Sequence, residues 1–231
     1  MGRHPKPVHL LSRLLARHSI AIFICFALIL QCLGVAAADL HTNVTLFNDS
    51  MFAGREKLKV PSTAALPLWL PIRAFMLDRR SAQRPGMREW ARWVIGLKQR
   101  PLREKLAAIN RRVNGGFHHE SDGNLWRKDD YWEDPVEAVR RGGIDCEGYA
   151  IFKMYLAFLA GVPLTDMAIA VGWLSYRDGM HAVLVITDGR RTFVLDNLQL
   201  PVVEPGQIRD FQPAALIGLD EAWLIPRNLP Q

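Results

Sequence analysis

The stretch Gly143-Ile144-Asp145-Cys146-Glu147-Gly148-Tyr149-Ala150-Ile151-Phe152-Lys153-Met154-Tyr155-Leu156-Ala157-Phe158-Leu159-Ala160-Gly161-Val162-Pro163 decides how the chain is organised. It predicts one helix over about 146–160. Asp145 is a suitable N-cap, because its carboxylate can accept from the unpaired N–H groups of the first turn. Gly161 stands at the C′ position, where left-handed backbone is easiest for glycine, and Pro163 prevents the helix from resuming. From Tyr149 onward the residues are apolar on nearly every side apart from Lys153, and a helix without a polar face belongs in the middle of a domain. Cys146 falls in the first turn. The positive end of the macrodipole and the free N–H groups favour an anion there, so its thiol is expected to shift toward thiolate. A thiolate nucleophile also needs an oriented proton acceptor, usually a histidine held by Asp or Asn.

That histidine is sought downstream, where 168–174, 181–186 and 192–195 are rich in Val, Ile and aromatics and read as strands. Of His41, His118, His119 and His181, only His181 lies in a strand pattern with an acidic residue at a matching position. If Asp188-Gly189 is the centre of a two-residue type I′ turn, Thr187 faces Arg190 and, counting back along both strands, His181 faces Asp196. Opposed residues of an antiparallel pair point to one face with Cα atoms about 5 Å apart. A four-residue loop over 187–190 keeps that register, whereas a three-residue loop shifts it by one and turns Asp196 away. Singly, His181 is an ordinary strand-edge residue, Asp196 an ordinary turn residue, and Cys146 a small hydrophobe. Their coincidence points to a Cys-His-Asp site.

Upstream, Trp90, Trp93, Val94 and Leu97 follow helical spacing from about residue 88, ending before Pro101. A second helix starts near Pro101, carries Leu102, Leu106, Ile109 and Val113 on one face, and stops at Asn114-Gly115-Gly116. Residues 117–143 read as a loop dense in polar groups and aromatics. Within it, Glu120-Ser121-Asp122-Gly123-Asn124 has a calcium-loop flavour but lacks the remaining spacing and closing Glu of an EF-hand, and reads as a polar turn. Residues 39–86, rich in Pro, Ser, Asn and Thr, read as an irregular arm ahead of a catalytic domain at 87–231.

The start of the chain speaks to compartment. Arg3, Lys6, Arg13 and Arg17 precede an uncharged run with an apolar stretch from Ile20 to Leu30, and Ala36-Ala37-Ala38 closes it. These are the three parts of a secretory signal peptide, so 1–38 is expected to be removed after Ala38 and the mature protein to be periplasmic or secreted. An uncleaved anchor in the inner membrane is the rival reading. Removal would take away Cys25 and Cys32 and leave Cys146 as the one thiol of three. It would also take four of the 29 cations and none of the 23 carboxylates, leaving 25 against 23. A body so nearly neutral argues against nucleic acid as partner. With 49% apolar and 23% charged residues, disorder is excluded.

The residues now resemble a known family. Gly143-Ile144-Asp145-Cys146-Glu147-Gly148-Tyr149-Ala150 is similar to the G-x-D-C-E-D-Y-A nucleophile motif of the bacterial transglutaminase-like cysteine proteinases. Met180-His181-Ala182-Val183-Leu184 and Phe193-Val194-Leu195-Asp196-Asn197-Leu198 resemble their histidine and aspartate segments, and Asp130-Tyr131-Trp132 their D-Y-W stretch. The resemblance covers roughly residues 100–200. It implies an α+β, papain-like and transglutaminase-like fold, in which a central helix carrying the cysteine packs on an antiparallel sheet carrying the histidine and aspartate. It implies Cys146 as nucleophile, His181 as general base and then acid, Asp196 as its orienter, and the backbone N–H of Cys146 as an oxyanion donor. Relatives are periplasmic proteases that clip biofilm adhesins, answer to a membrane-bound cyclic-di-GMP receptor and use calcium. By the same resemblance Asp145 and Glu147 are calcium-linked acids, while Gly148 stands where the motif has Asp.

The expected activity is therefore that of an exported cysteine peptidase with a protein substrate, an adhesin by analogy, and an inner-membrane receptor as regulator. A transglutaminase-like acyltransferase uses the same triad and differs only in the second nucleophile. A catalytically inactive binding protein on the same fold is the non-enzymatic alternative.

Overall fold

The computed structural model describes residues 57–60, 62–208 and 210–226. The expected signal peptide or anchor at 1–38, and the arm up to residue 56, lie outside the described residues. Among the described residues no helix is long and apolar enough to cross a membrane.

In chain order the elements begin with strand β1 (Leu58–Val60), then helices α1 (Trp69–Leu77), α2 (Met87–Ile95) and α3 (Leu102–Gly116). Strand β2 (His118–His119), helices α4 (Asp122–Leu125) and α5 (Pro135–Arg141), and strand β3 (Gly143–Ile144) follow. Then come α6 (Cys146–Leu159) and strands β4 (Met167–Leu174), β5 (Gly179–Thr187), β6 (Thr192–Leu195), β7 (Phe211–Ile217) and β8 (Ala222–Leu224). Six strands make one sheet in the order β1-β8-β7-β4-β5-β6, with each neighbouring pair antiparallel. Strands β2 and β3 pair separately and in parallel.

Helix α6 forms where the composition requires it. Asp145 has extended backbone and its carboxylate accepts from Gly148 N at 2.9 Å. At the far end Gly161 takes φ +89°, Gly161 N bonds to Phe158 O, and Val162 N to Ala157 O, a Schellman closure. Every residue from Glu147 to Ala157 is buried. The helix packs on β5 and β4 and is flanked by α2 and α3, so the α+β architecture with a central cysteine-bearing helix is as expected. One face of the sheet gathers Ala168, Ala170, Val183, Val185, Val194, Leu216 and Trp223, closed by Phe211 and Ile225.

The hairpin differs from expectation in register. Thr187 pairs with Thr192 and Leu184 with Leu195, so the turn is centred on Gly189-Arg190 instead of Asp188-Gly189. Asp188 opens the turn: its carboxylate accepts from Arg190 N and Arg191 N at 2.9 and 2.7 Å, and only Gly189 has positive φ, whereas a type I′ turn needs it at both central positions. The slip is two residues, so side-chain parity survives. Asp196 lies opposite Val183 and diagonal to His181, still on the same face.

The segment expected to be an irregular arm is corrected. It contains α1, whose Trp69, Ile72, Phe75 and Met76 are buried. Pro71 falls in the first turn, where a missing N–H costs nothing, so the prolines did not exclude a helix. Strand β1 pairs with β8, Trp69 Nε1 donates to Leu219 O at 3.1 Å, and Arg73 and Lys59 pair with Asp220 and Glu221. The loop over 117–143 likewise contains α5. Its capping box has Asp134 accepting from Val136 N and Glu137 N while Glu137 accepts from Asp134 N, with Pro135 at the first position.

Because Trp69 is 1% exposed, Trp69→Ala is expected to cost about 3 to 5 kcal/mol in urea unfolding. A loss under about 1 kcal/mol would show that α1 is an appendage and not part of the core.

Candidate active site

Cys146 is the first residue of α6 and is half-buried. Its Sγ donates to Glu147 Oε2 at 2.9 Å, and the backbone N–H of Ala182, the residue after His181, also reaches it. Burial of the sulfur, then the charges of Glu147 and Asp145, push the thiol well above its ordinary value, with the Ala182 N–H acting the other way. The expectation of a thiol biased toward thiolate is thus corrected. A helix terminus carries about half a charge, and two flanking carboxylates in a desolvated pocket outweigh it.

His181 is 4% exposed, and its Nε2 lies 2.8 Å from Asp196 Oδ1. With Nε2 bearing the proton toward the carboxylate, Nδ1 of the neutral ring is an acceptor. Phe211 stands edge-on to the imidazole at 6.3 Å. Asp196 follows the last residue of β6. Burial works against its charge, but the His181 hydrogen bond and the Leu198 N–H hold its carboxyl below the usual value. Two asparagines one helical turn apart on α3 fix the loop beyond it. Asn114 Nδ2 donates to Asp196 O at 2.8 Å, and Asn110 Nδ2 to Gln199 O and Leu200 O at 3.0 and 2.9 Å. Lys153 lies two turns along α6 from Cys146, fully buried, and among the described residues its Nζ has no hydrogen-bond partner. Burial lowers its pKa to about 7, against the pull of Asp196.

On the other side of Cys146 lies a cluster of acids that sequence reasoning only partly found. Ligand-type oxygens of Asp122, Glu133 and Asp145 all lie within 4.8 Å of one another. The β2-β3 pairing and the Glu120 N to Ile144 O bond carry Asp122 to the start of α6, and the turn into α5 delivers Glu133. Desolvation, then the Glu147 charge among its neighbours, raises Asp130 to about 7. Desolvation also raises Asp122 to about 6 and Glu133 to about 8, and Asp145 well above normal, with mutual repulsion adding to each. Of the two acids expected to be calcium-linked, Asp145 is in this cluster, whereas Glu147 is turned to the Cys146 sulfur. Of the stretch read as a polar turn, Asp122 joins the cluster, while Glu120 accepts from Ser121 N and Asn124 Nδ2. The cluster's hard oxygen donors and its two unbonded Glu133 oxygens suit a divalent cation such as Ca²⁺.

Residues 79–211 match the family described as bacterial transglutaminase-like cysteine proteinase, BTLCP. No curated protein matches the chain. Among solved structures, Legionella pneumophila LapG is similar at 27% identity and a TM-score of 0.55, over 67% of this chain and 86% of that one. Its EGTA-treated form matches at 26% identity and a TM-score of 0.56, over 69% and 87%. Its calcium-bound form matches at 27% and 0.55, over 67% and 86%.

Carboxylates raised by folding bind extra protons in the native state, a stabilisation present at low pH and lost as pH rises through the raised values of about 6 and about 7 for Asp122 and Asp130. The depressed Lys153 acts oppositely, but only above about 7. In EGTA the melting temperature is therefore expected to fall between about pH 5 and pH 7, and saturating calcium to flatten that fall. A melting temperature that rises over the same range in EGTA would contradict the charge assignment.

Proposed function

The chain belongs to the bacterial transglutaminase-like cysteine proteinase family, and from that membership we propose that it hydrolyses a peptide bond of a protein substrate through Cys146, His181 and Asp196. The observation that carries this reading is the 2.8 Å bond between His181 and Asp196, set beside a cysteine at a helix N-terminus whose sulfur the Ala182 N–H approaches.

Asp196 fixes the imidazole with Nε2 outward to the carboxylate, so Nδ1 takes the thiol proton. For that the thiol turns from Glu147 to His181. The sulfur then attacks the scissile carbonyl, and the oxyanion forms against the first turn of α6, where the backbone N–H of Cys146 would donate to it. The imidazolium, stabilised by Asp196, gives its proton to the departing amine. Water, deprotonated by the same imidazole, releases the acyl group from sulfur. Asp145 and Asp122 would hold calcium, and the charge it supplies would offset the carboxylates that keep the thiol protonated.

The substrate we favour is a cell-surface adhesin, the site of action the periplasm after loss of 1–38, and the regulator an inner-membrane receptor. These follow the family resemblance together with the likeness to Legionella pneumophila LapG over 86% of that chain.

Cys146→Ala is expected to abolish peptide hydrolysis. Asp196→Asn is expected to lower kcat by roughly 100- to 10,000-fold with a smaller change in KM, because the imidazole loses its oriented tautomer. Comparing the outer-membrane and secreted protein profiles of cells carrying native protein and Cys146→Ala tests the adhesin. An unchanged profile removes adhesin release, and a fully active Asp196→Asn removes the triad.

A further inference from the structure

Gly148 removes one carboxylate from the first turn of α6, yet the space it leaves is filled. A Cβ placed on Gly148 would lie 2.0 Å from Glu133 Oε1, and 3.0 Å from both Glu133 Cδ and Ile144 Cβ. Glu133 comes from another part of the chain, the turn between Trp132 and the capping residue Asp134. It is 1% exposed, and among the described residues neither carboxylate oxygen has a hydrogen-bond donor from another residue. Asp122, 7% exposed, also leaves Oδ1 unbonded, although Oδ2 accepts from Tyr131 N at 2.6 Å. Buried polar groups are almost always paired, and a buried carboxylate aimed at two others is the reverse of what folding alone selects. A cation with open coordination positions satisfies all three at once.

We infer that Glu133 is a calcium ligand in this chain, supplying from the loop before α5 the carboxylate that Gly148 lacks, so that Asp122, Glu133 and Asp145 share the ion. The glycine is the counterpart of the glutamate: the pocket accommodates a side chain from position 133 or from position 148, not both. The inference rests on the calcium reading above and changes which residues hold the metal.

The test is calorimetric titration of Ca²⁺ into EGTA-stripped protein, with melting temperatures measured in EGTA and in calcium. The native protein binds calcium. Glu133→Gln binds it about tenfold more weakly or worse and shows a smaller calcium-induced rise in melting temperature. In EGTA that variant melts no lower than the native protein, since an amide of the same shape replaces a carboxyl whose oxygens receive no donor from another described residue, and this separates a lost ligand from a lost fold. The double variant E133A/G148D recovers calcium binding relative to Glu133→Gln, because the aspartate grows into the vacated space. If native protein binds calcium and Glu133→Gln binds it equally, Glu133 is no ligand and only this inference falls. A double variant no tighter than Glu133→Gln overturns the exchange of positions. If native protein binds no calcium, the calcium reading fails together with it.

Discussion

The first turn of α6 is the constraint on which the structure turns. A helix buried from Glu147 to Ala157 must begin inside the protein, where its unpaired N–H groups need acceptors that water cannot provide. Asp145 answers part of this by accepting from Gly148 N. The same end is where a nucleophile gains from donors, so capping and chemistry compete for one turn of backbone. The surrounding elements are arranged to serve that turn. The short β2-β3 ladder ties residues 118–119 to 143–144, the capping box of α5 fixes the approach of Trp132 and Glu133, and β5 brings the Ala182 N–H to the sulfur.

The other end of the site is built differently. Asp196 stands just past the end of β6, where the ladder no longer holds the backbone, and its position comes from α3. Asn110 and Asn114 reach across to carbonyls of residues 196, 199 and 200. An edge strand followed by an anchored loop lets one side chain be placed without relying on strand pairing alone. The Val194–Val203 bridge covers part of the remaining edge.

What the sequence revealed follows from which signals are local. The cap at Asp145, the Gly161 stop and the unbroken apolar run made α6 readable residue by residue. The face shared by His181 and Asp196 was readable because parity survives a two-residue slip, although the register itself was not, since an Asp at 188 can either enter a turn or open one. Helix α1 was hidden by prolines that its first turn tolerates, and α5 by its shortness, since the Asp134-Pro135…Glu137 pattern that marks its start sits among polar and aromatic loop residues. Strand β7 carries Pro213 and β8 has three residues, too little for alternation to show. Glu133 had no local signal at all. Its meaning depends on Gly148, fifteen positions away, and only folding puts one in the space left by the other.

These two halves of the site are in opposite electrostatic condition. On the histidine side the charges are matched: Asp196 has His181 and the Leu198 N–H, and the buried ammonium of Lys153 adds a favourable field. That half needs nothing further to be ready. On the cysteine side, Asp122, Glu133 and Asp145 repel one another, with the charge of Lys128 acting against this at Asp122, and Glu147 holds the thiol proton. In the proposed reaction, moving a proton from sulfur to imidazole would create a new anion beside those acids, so its cost would depend on how the acids are neutralised. Protons neutralise them only below their raised values, about 6 for Asp122 and about 8 for Glu133, and are lost again as pH rises through those values. A bound cation would neutralise them across that range, which is a physical reason for the proposed nucleophile to lie beside an acidic pocket.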